Sequence, residues 1–406
     1  MGKQAFTLGC SVNRNYGSSY KTASINQSNR LNIETENTIT EIRKPKLKTL
    51  CMEEQDRPIQ TRDGHTVVID FFRPEDAPGI ADLFQDVYGE NYPIRLYYDP
   101  DALIRANAAG DCCSIVARNE AGRVVGVTHA IQSSPYEGIY ESAAGLVLRS
   151  YRAHGINNRL QWFLFHRWTP SRPWVAGIFG EPVCQHTHLQ KNWHDLGAVE
   201  MGLELALMPA AAFAAEKGSQ GRVACMAAYR PVTQRPHRIY LPAVYTHALQ
   251  FLYSGMVEAR FFSPSLETLP QECATVFQIR IFDFASVARV TFQETGADLE
   301  ASVEKMEHEV RRQGVEVIQV WLKLGSPWVG AAVDVFRNSG YFLGGVLPRW
   351  FDDDGLLLQK LFCTPYWEGI RLYTDRAKRI MEIVQKDQNS AIPLFDGFGR
   401  SMAVRI

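Results

Sequence analysis

Residues 145 to 160 combine a strand, a tight turn and the start of a helix, and they constrain the fold of this chain more than any other stretch. The apolar residues 146 to 148 suit the end of a buried strand, and apolar side chains then recur at helical spacing from Ile156. A turn with Gly155 at its tip points free backbone N–H groups, and the positive end of the helix dipole, at one place. Such a place suits a phosphate group.

The side chains around this turn are basic. Arg149, Arg152 and Arg159 add positive charge near the predicted phosphate position. The Gly-Lys-Ser/Thr ending of a P-loop is missing. The turn is therefore predicted to bind a phosphate group without being a P-loop.

The spacing Arg152-x-x-Gly155-x-Asn157 resembles the Arg/Gln-x-x-Gly-x-Gly/Ala signature of the GNAT superfamily of acyl-CoA N-acyltransferases. The resemblance implies that the preceding strand pairs with the pantetheine arm of CoA and that the loop N–H groups bind its pyrophosphate. Asn157 departs from the signature, although Asn tolerates unusual backbone angles better than most residues. The residues implied to bind acyl-CoA, with acetyl-CoA as the default donor, are Leu146, Val147, Leu148, Arg152, Ala153, His154, Gly155, Ile156 and Asn157.

The order of predicted elements around this loop is also similar to that family. An opening strand leads into a helix from Pro74, a hairpin turns at Gly122, and a third strand enters the phosphate loop. A later strand and helix lead to Gly197, as in the closing unit of the family. These elements predict a GNAT domain with an acyl-CoA site at residues 63 to 235.

The second half of the sequence repeats the theme. The pattern predicts a helix over residues 299 to 312, then a strand, a helix and a strand, while the stretch from Arg280 to Arg289 contains no glycine for a phosphate loop. We therefore expect an α/β (α+β) fold of tandem GNAT-like domains, each with a central mixed, mostly antiparallel sheet flanked by helices. The second domain, at residues 236 to 380, is predicted to be degenerate, and the repeat predicts two sheets rather than one.

Composition limits the remaining choices. The chain has 406 residues, 46% of them hydrophobic, and a formal net charge of −1, which favours neither nucleic acid nor an anionic membrane as a partner. The longest apolar runs are too short to cross a bilayer. Residues 1 to 62 are predicted to be a disordered tail and residues 381 to 406 a C-terminal tail. Eight cysteines without paired spacing indicate free thiols in a reducing cytoplasm.

Acyl transfer to an amine needs a group that accepts the amine proton and a donor for the oxyanion. Glu141 and Glu181 are the candidate bases. A backbone N–H near Val147 or Leu148 is the candidate oxyanion donor. The resemblance implies a Tyr as the acid for the leaving thiolate, but Trp193 holds that place. His194 or a nearby Tyr then becomes the candidate acid, unless the thiolate leaves unassisted.

Several alternatives remain open at this point. His186 and His188 are further candidate bases, and the aromatic residues at 88, 92, 97 and 98 are candidates for one wall of the acceptor site. Cys184 with these histidines does not match the spacing of usual zinc loops, so we predict no metal. The acidic triplet at 352 to 354 is predicted to cap a solvated turn rather than to bind a cation.

The predicted function is acyl transfer from acyl-CoA to an amine of a small molecule or peptide. One alternative is an acyl-CoA-binding pseudoenzyme that acts as a sensor or scaffold, which the Trp193 departure favours. A second is a tandem aminoacyl-transferase that uses charged tRNA, which the balanced net charge disfavours. Because a fused pair can satisfy internally the contact that single domains make as dimers, either a monomer or a homodimer is compatible with the pattern.

Overall fold

The computed structural model describes residues 52 to 92, 94 to 212 and 220 to 391. Within these ranges the chain forms a 13-stranded sheet and a separate two-stranded sheet, with helices alongside. Two neighbouring strand pairs in the large sheet are parallel and the others are antiparallel. The predicted α/β (α+β) class, with a mixed, mostly antiparallel sheet flanked by helices, is confirmed.

The first half of the described chain contributes one end of the large sheet. Its strands are β1 (Ile59–Gln60), β2 (Thr66–Phe71), β3 (Cys112–Asn119), β4 (Val124–Ile131), β5 (Ile139–Val147), β6 (Gly177–Gly180), β7 (Val199–Met208) and β8 (Val223–Pro231). Its helices are α1 (Met52–Gln55), α2 (Ala77–Tyr88), α3 (Pro100–Ala109), α4 (Ile156–Phe163) and α5 (His188–Asp195). The strands lie in the order β1-β2-β3-β4-β5-β6-β8-β7.

The second half contributes the other end of the sheet. Its strands are β9 (His237–Leu241), β10 (Arg260–Pro264), β11 (Val276–Phe282), β12 (Val287–Glu294), β13 (Val317–Lys323), β14 (Phe342–Leu347) and β15 (Gly355–Leu361). Its helices are α6 (Thr246–Tyr253), α7 (Leu299–Arg312), α8 (Val329–Asn338) and α9 (Asp375–Ala391). The order β11-β12-β13-β15-β14 matches the order β4-β5-β6-β8-β7 of the first half.

Two glycines join the two halves of the sheet. β7 pairs with β14 through Gly202 and Gly345. A Cβ atom on Gly202 would lie 2.6 Å from the carbonyl oxygen of Gly344 and 2.8 Å from the Cα atom of Gly345, so only glycine permits this approach. The expectation of two separate sheets is therefore wrong. The tandem organisation, with its boundary near residue 235, stays a prediction.

β5 and β6 separate after a short parallel contact. They pair at only three positions, the last being Glu141 with Phe179, and β5 then continues for six residues to Val147 on the β4 side alone. A bulge accompanies the separation, since Ala144 adopts a left-handed φ of 50° and the β4–β5 register shifts there. We call the space beside residues 142 to 147 the β5–β6 cleft. The parallel strands β12 and β13 stay paired at five positions.

Helix packing follows the apolar periodicity of the sequence. In α7, Leu299, Val303, Met306 and Val310 are buried at spacings of three and four residues, and the bounds of this helix agree with the prediction. No helix in the described ranges is both long and apolar enough to span a membrane.

The predicted tails overlap with described elements. Residues 52 to 62, assigned from the sequence to a disordered tail, contain α1 and β1, and β1 pairs with β2. Residues 381 to 391, assigned to a C-terminal tail, belong to α9, which buries Ile380 and Val384. The tail predictions are therefore wrong over these residues. Residues 1 to 51 and 392 to 406 lie outside the described ranges.

Candidate active site

The turn between β5 and α4 presents a row of backbone N–H groups. Those of residues 153 to 158 donate to no acceptor in the described part of the chain. Ala153 and Gly155 adopt left-handed φ angles of 65° and 77°, and Gly155 is the residue from which α4 starts. Both residues are exposed, as is Arg152. The turn predicted from the sequence is thus present, and its ligand stays a prediction.

The three arginines near the turn have different partners. Arg159 donates from Nη1 to the carbonyl oxygens of Gln55 and, at 2.9 Å, Arg57, so its guanidinium is bound to the end of α1. The prediction that Arg159 surrounds the phosphate position is therefore wrong. Arg152 donates from Nε to the carbonyl oxygen of Val147 at 3.2 Å, and Arg149 is exposed.

Polar side chains connect α4 to β4 and β5. Gln161, on α4, donates from Nε2 to Thr128 Oγ1 at 3.1 Å and accepts at Oε1 from Ser142 Oγ at 3.0 Å. Gln161 and Thr128 are buried. A Cβ atom on Gly145 would lie 3.6 Å from Asn157 Oδ1. Asn157, which departs from the GNAT signature, therefore faces the strand rather than solvent.

Glu141 lies on β5 where β5 and β6 separate. Its carboxylate accepts a hydrogen bond from Ser133 Oγ at 2.8 Å. Burial raises the pKa of Glu141 to about 7, with the negative charge of Glu181 adding to the rise and Arg289 opposing it. Near neutral pH this carboxyl group is therefore close to half ionised, as suits a general base.

Glu181 follows β6 and belongs to a buried charged cluster. Arg289 Nη2 on β12 lies 2.7 Å from Glu181 and 3.5 Å from Glu204 on β7. Burial also raises the pKa of Glu204, to about 8, with Glu181 as the next cause. The structure thus brings the predicted bases Glu141 and Glu181 together. Glu204 and Arg289 were not predicted from the sequence, where the signal available for each is a charged residue between two apolar ones in a strand.

The four tyrosines predicted to form an acceptor wall cluster around Phe84. They are Tyr88, Tyr92, Tyr97 and Tyr98. The Tyr97 ring stacks on Phe84 at 4.6 Å between centroids, and the Tyr92 ring meets it at 4.9 Å. Burial raises the pKa of both Tyr92 and Tyr97, and Glu141 contributes to each rise. The cluster thus lies within electrostatic reach of Glu141, and its contact with an acceptor stays a prediction.

Trp193 packs into the core beneath β6. It is 2% exposed, and a Cβ atom on Gly180 would lie 2.5 Å from its ring. His194, the next residue, is exposed, and its ring lies 5.8 Å from that of Tyr373. The rings of His186 and His188 lie 5.2 Å apart at the start of α5.

The candidate oxyanion donors differ in what they bind. Leu148 N–H donates to the carbonyl oxygen of Val125 at 2.9 Å, so the prediction that Leu148 supplies the donor is wrong. Consecutive N–H groups of an extended strand point to opposite edges. Because Leu148 points its N–H at β4, Val147 points its own towards the β5–β6 cleft.

The second half has a different arrangement at the corresponding turn, between β12 and α7. Gly296 N–H donates to Thr275 Oγ1 at 3.0 Å, and Ala297 N–H donates to the carbonyl oxygen of Pro270 at 3.0 Å. The carboxylate of Asp298 accepts from Thr275 N–H at 2.8 Å. Residues 270 to 275 therefore cover the start of α7. The stretch from Arg280 to Arg289, where the sequence contains no glycine for such a loop, forms part of the hairpin of β11 and β12.

The acidic triplet lies against other parts of the chain. Asp354 is fully buried and forms an ion pair with Arg260 at 2.6 Å and a hydrogen-bonded pair with His237 at 3.1 Å. Although burial opposes ionisation, the His237 hydrogen bond and Arg260 lower the pKa of Asp354 to about 2. Asp352 pairs with Arg349. The prediction that these residues cap a solvated turn is therefore wrong for Asp354.

Cys184 and its neighbouring histidines are the residues considered above as possible metal ligands. Among the described residues, no group of three His, Cys, Asp or Glu side chains is placed to hold a metal ion. Cys184 is 1% exposed, and burial raises the pKa of its thiol. A thiol held in this way is a poor nucleophile, because the thiolate is the reactive form.

Comparison with known proteins gives structural matches only. No protein-family model matches this sequence, and no curated protein matches it. Among solved structures, the chain is similar to a GNAT superfamily phosphinothricin acetyltransferase from Sinorhizobium meliloti in complex with acetyl-CoA, at 19% identity and a TM-score of 0.33. This match covers 41% of the present chain and 88% of that enzyme.

Two further solved structures are similar over the same share of the chain. An aminoglycoside N-acetyltransferase complexed with coenzyme A matches at 17% identity and a TM-score of 0.31, covering 42% of this chain and 99% of its own. An N-acetyltransferase from Staphylococcus aureus matches at 13% identity and a TM-score of 0.33, covering 41% and 99%. Each of these matches spans about two fifths of the present chain.

Proposed function

We propose that this chain is an N-acyltransferase that moves an acyl group from acyl-CoA, acetyl-CoA by default, to an amine of a small molecule or peptide. The observation that carries the proposal is that the open edge of β5 leads directly into the free N–H groups of residues 153 to 158. An extended ligand arm pairs with an open strand edge, and a diphosphate accepts hydrogen bonds at a helix N-terminus.

Glu141 supplies the base in this proposal. An alkylamine has a pKa of ~10.4 and is mostly protonated at neutral pH, so it must lose a proton before it attacks a thioester. Glu141 accepts that proton because burial raises its own pKa to about 7. Attack of the neutral nitrogen on the thioester carbonyl gives a tetrahedral oxyanion, for which the Val147 N–H is the candidate donor. Glu181 is bound to Arg289, so its part is electrostatic.

The leaving thiolate takes a proton as the tetrahedral intermediate collapses. Trp193 does not provide it, since an indole N–H is not a useful acid and this side chain is buried. His194 remains the candidate acid, and His194→Gln should then lower the rate of turnover. Unchanged turnover in His194→Gln would mean that the thiolate leaves unassisted.

The proposed stoichiometry is one acyl-CoA per chain. The N–H groups at the start of α7 already bind residues 270 to 275, and β12 and β13 stay paired where β5 and β6 separate.

The balanced net charge favours a small amine or peptide over nucleic acid, and the free cysteines favour a reducing cytoplasm. A monomer or a homodimer fits the proposal equally.

Titration calorimetry of acetyl-CoA and CoA with a matched pair of Gly155 variants tests the donor site. Asn and Asp both tolerate the left-handed φ of Gly155, and they differ in charge. We expect Gly155→Asn to bind acetyl-CoA within a few fold of the natural chain. Gly155→Asp places a carboxylate where the pyrophosphate lies, and it should weaken binding by about tenfold or more. Equal affinities in the two variants would contradict the assignment of the turn.

A second candidate function is acyl-CoA binding without turnover, in which the chain acts as a sensor or scaffold. The burial of Trp193, at the place where the family resemblance implies an acid, favours it. Release of free CoA thiol in the presence of a panel of amines separates the two candidates. Turnover that is lost in Glu141→Gln supports the enzyme, whereas acetyl-CoA binding without turnover of any amine supports the sensor.

A further inference from the structure

A row of polar side chains crosses four strands of the second half, and Arg289 within this row contacts the candidate site. In register across β11, β12, β13 and β15, Arg280 pairs with Arg289, Arg289 with Gln319, and Gln319 with Gln359. Gln319 and Gln359 are fully buried. Polar side chains in such surroundings are costly unless each has a partner.

Arg289 is held from both sides. Its Nε donates to Gln319 Oε1 at 2.9 Å, and its Nη2 lies 2.7 Å from Glu181 Oε1. Gln319 donates its other hydrogen-bonding group, Nε2, to Glu204. The Arg289 side chain is 11% exposed and that of Glu204 is 1% exposed. A guanidinium with several fixed donors is suited to bridge two carboxylates in this way, whereas an ammonium group is not.

The surroundings of Glu141 contain two other carboxyl groups and two guanidinium groups. The titratable and hydrogen-bonding groups that act on it are Ser133, Glu181, Glu204, Arg280, Arg289, Tyr92 and Tyr97. Of the two cations, Arg289 alone forms ion pairs with Glu181 and Glu204, while Arg280 is exposed on the edge strand β11. Arg289 is therefore the main positive charge facing three neighbouring carboxyl groups.

We propose that Arg289, supplied by the second half of the chain, is a positioning residue that fixes Glu181 and thereby keeps Glu141 able to ionise and accept a proton. The second half then completes the site of the first half instead of binding a cofactor of its own. This inference rests on the proposed function for its catalytic consequence. The dependence of Glu141 ionisation on Arg289 is its structural part, and this part does not rest on the proposed function.

Removal of the Arg289 charge has a defined direction. Without it, the negative charge of Glu181 acts on Glu141 with less compensation, so Glu141 holds its proton to higher pH. An upward movement of one pH unit lowers the ionised fraction about tenfold on the acid side of the titration. We therefore expect the acid limb of the kcat/KM profile to move up by about one pH unit or more in Arg289→Gln, with activity recovering at high pH.

Two variants control for charge and for folding. Arg280→Gln removes the neighbouring exposed cation and should move the acid limb by less than Arg289→Gln does. Arg289→Lys keeps the charge but cannot bond Glu181 and Gln319 together, so it should move the limb in the same direction and by less. The lysine variant also keeps the test usable if Arg289→Gln prevents folding.

Infrared titration of the protonated carboxyl band that disappears in Glu141→Gln follows the ionisation of Glu141 without any turnover. In Arg289→Gln, or Arg289→Lys if needed, its midpoint should move to higher pH than in the natural chain. A midpoint that does not move would overturn the inference, even if turnover falls. Absence of turnover in the natural chain would refute the proposed function and leave the infrared result to decide this inference separately.

Discussion

Glu141→Gln should change how the stability of the chain depends on pH. The folded chain raises the pKa of Glu141 from 4.5 to about 7, so the folded state binds this proton more tightly than the unfolded state does. The associated stability is fully present below pH ~4.5 and is lost as the pH rises to about 7. At about 1.4 kcal/mol per pH unit, the loss is about 3 kcal/mol. A glutamine at this position carries no charge, so Glu141→Gln should not show this loss of stability as the pH rises.

Denaturant unfolding at a series of pH values between 4.5 and 8 measures this difference. The free energy of unfolding of Glu141→Gln, minus that of the natural chain, should increase by about 3 kcal/mol across the range. Glutamine also keeps an acceptor for Ser133 Oγ, so the comparison isolates the charge. Glu304→Gln, an exposed change on α7, is the matched control for the chemistry of the substitution. A constant difference for Glu141→Gln would refute the reasoning that burial raises the pKa of this carboxyl group.

Two further predictions concern the framework around the site. Gly202→Ala places a Cβ atom 2.6 Å from the carbonyl oxygen of Gly344 and should lower the free energy of unfolding by about 1–3 kcal/mol, measured by denaturant titration. Unchanged stability would show that the β7–β14 junction opens easily. Asp354→Asn removes one of the two carboxylates that pair with the buried Arg260 and should cost about 3–5 kcal/mol by the same assay. A loss below about 1 kcal/mol would mean that another carboxylate, that of Glu258, compensates fully.

Local patterns were sufficient for elements whose signal lies within a short stretch. The apolar spacing of α7 gave its bounds, and Gly155 marked a turn that the structure contains. Glu141 was identified as a candidate base because it lies on the strand that enters this turn, and the structure places it where β5 and β6 separate.

The parts that the sequence did not reveal depend on contacts between distant residues. Arg289 lies 108 positions from Glu181, and no spacing rule links an arginine in one strand to a carboxylate in another half of the chain. Arg159 was expected at the phosphate position because it is close to Gly155 in sequence, whereas its partners are carbonyl groups about 100 residues earlier. Asp354 was predicted to lie in a solvated turn because its buried partner, Arg260, is distant in sequence and gives no local signal.

The segment that covers the start of α7 has a thermodynamic consequence. Gly296 and Ala297 bind residues 270 to 275 of the same chain, so the interactions that a free ligand would form on arrival are formed here when the protein folds. The second half thus behaves like a receptor whose ligand is covalently attached and present at very high effective concentration. This part of the chain should gain no stability from added cofactor, whereas the single acyl-CoA proposed for the first half should stabilise that half.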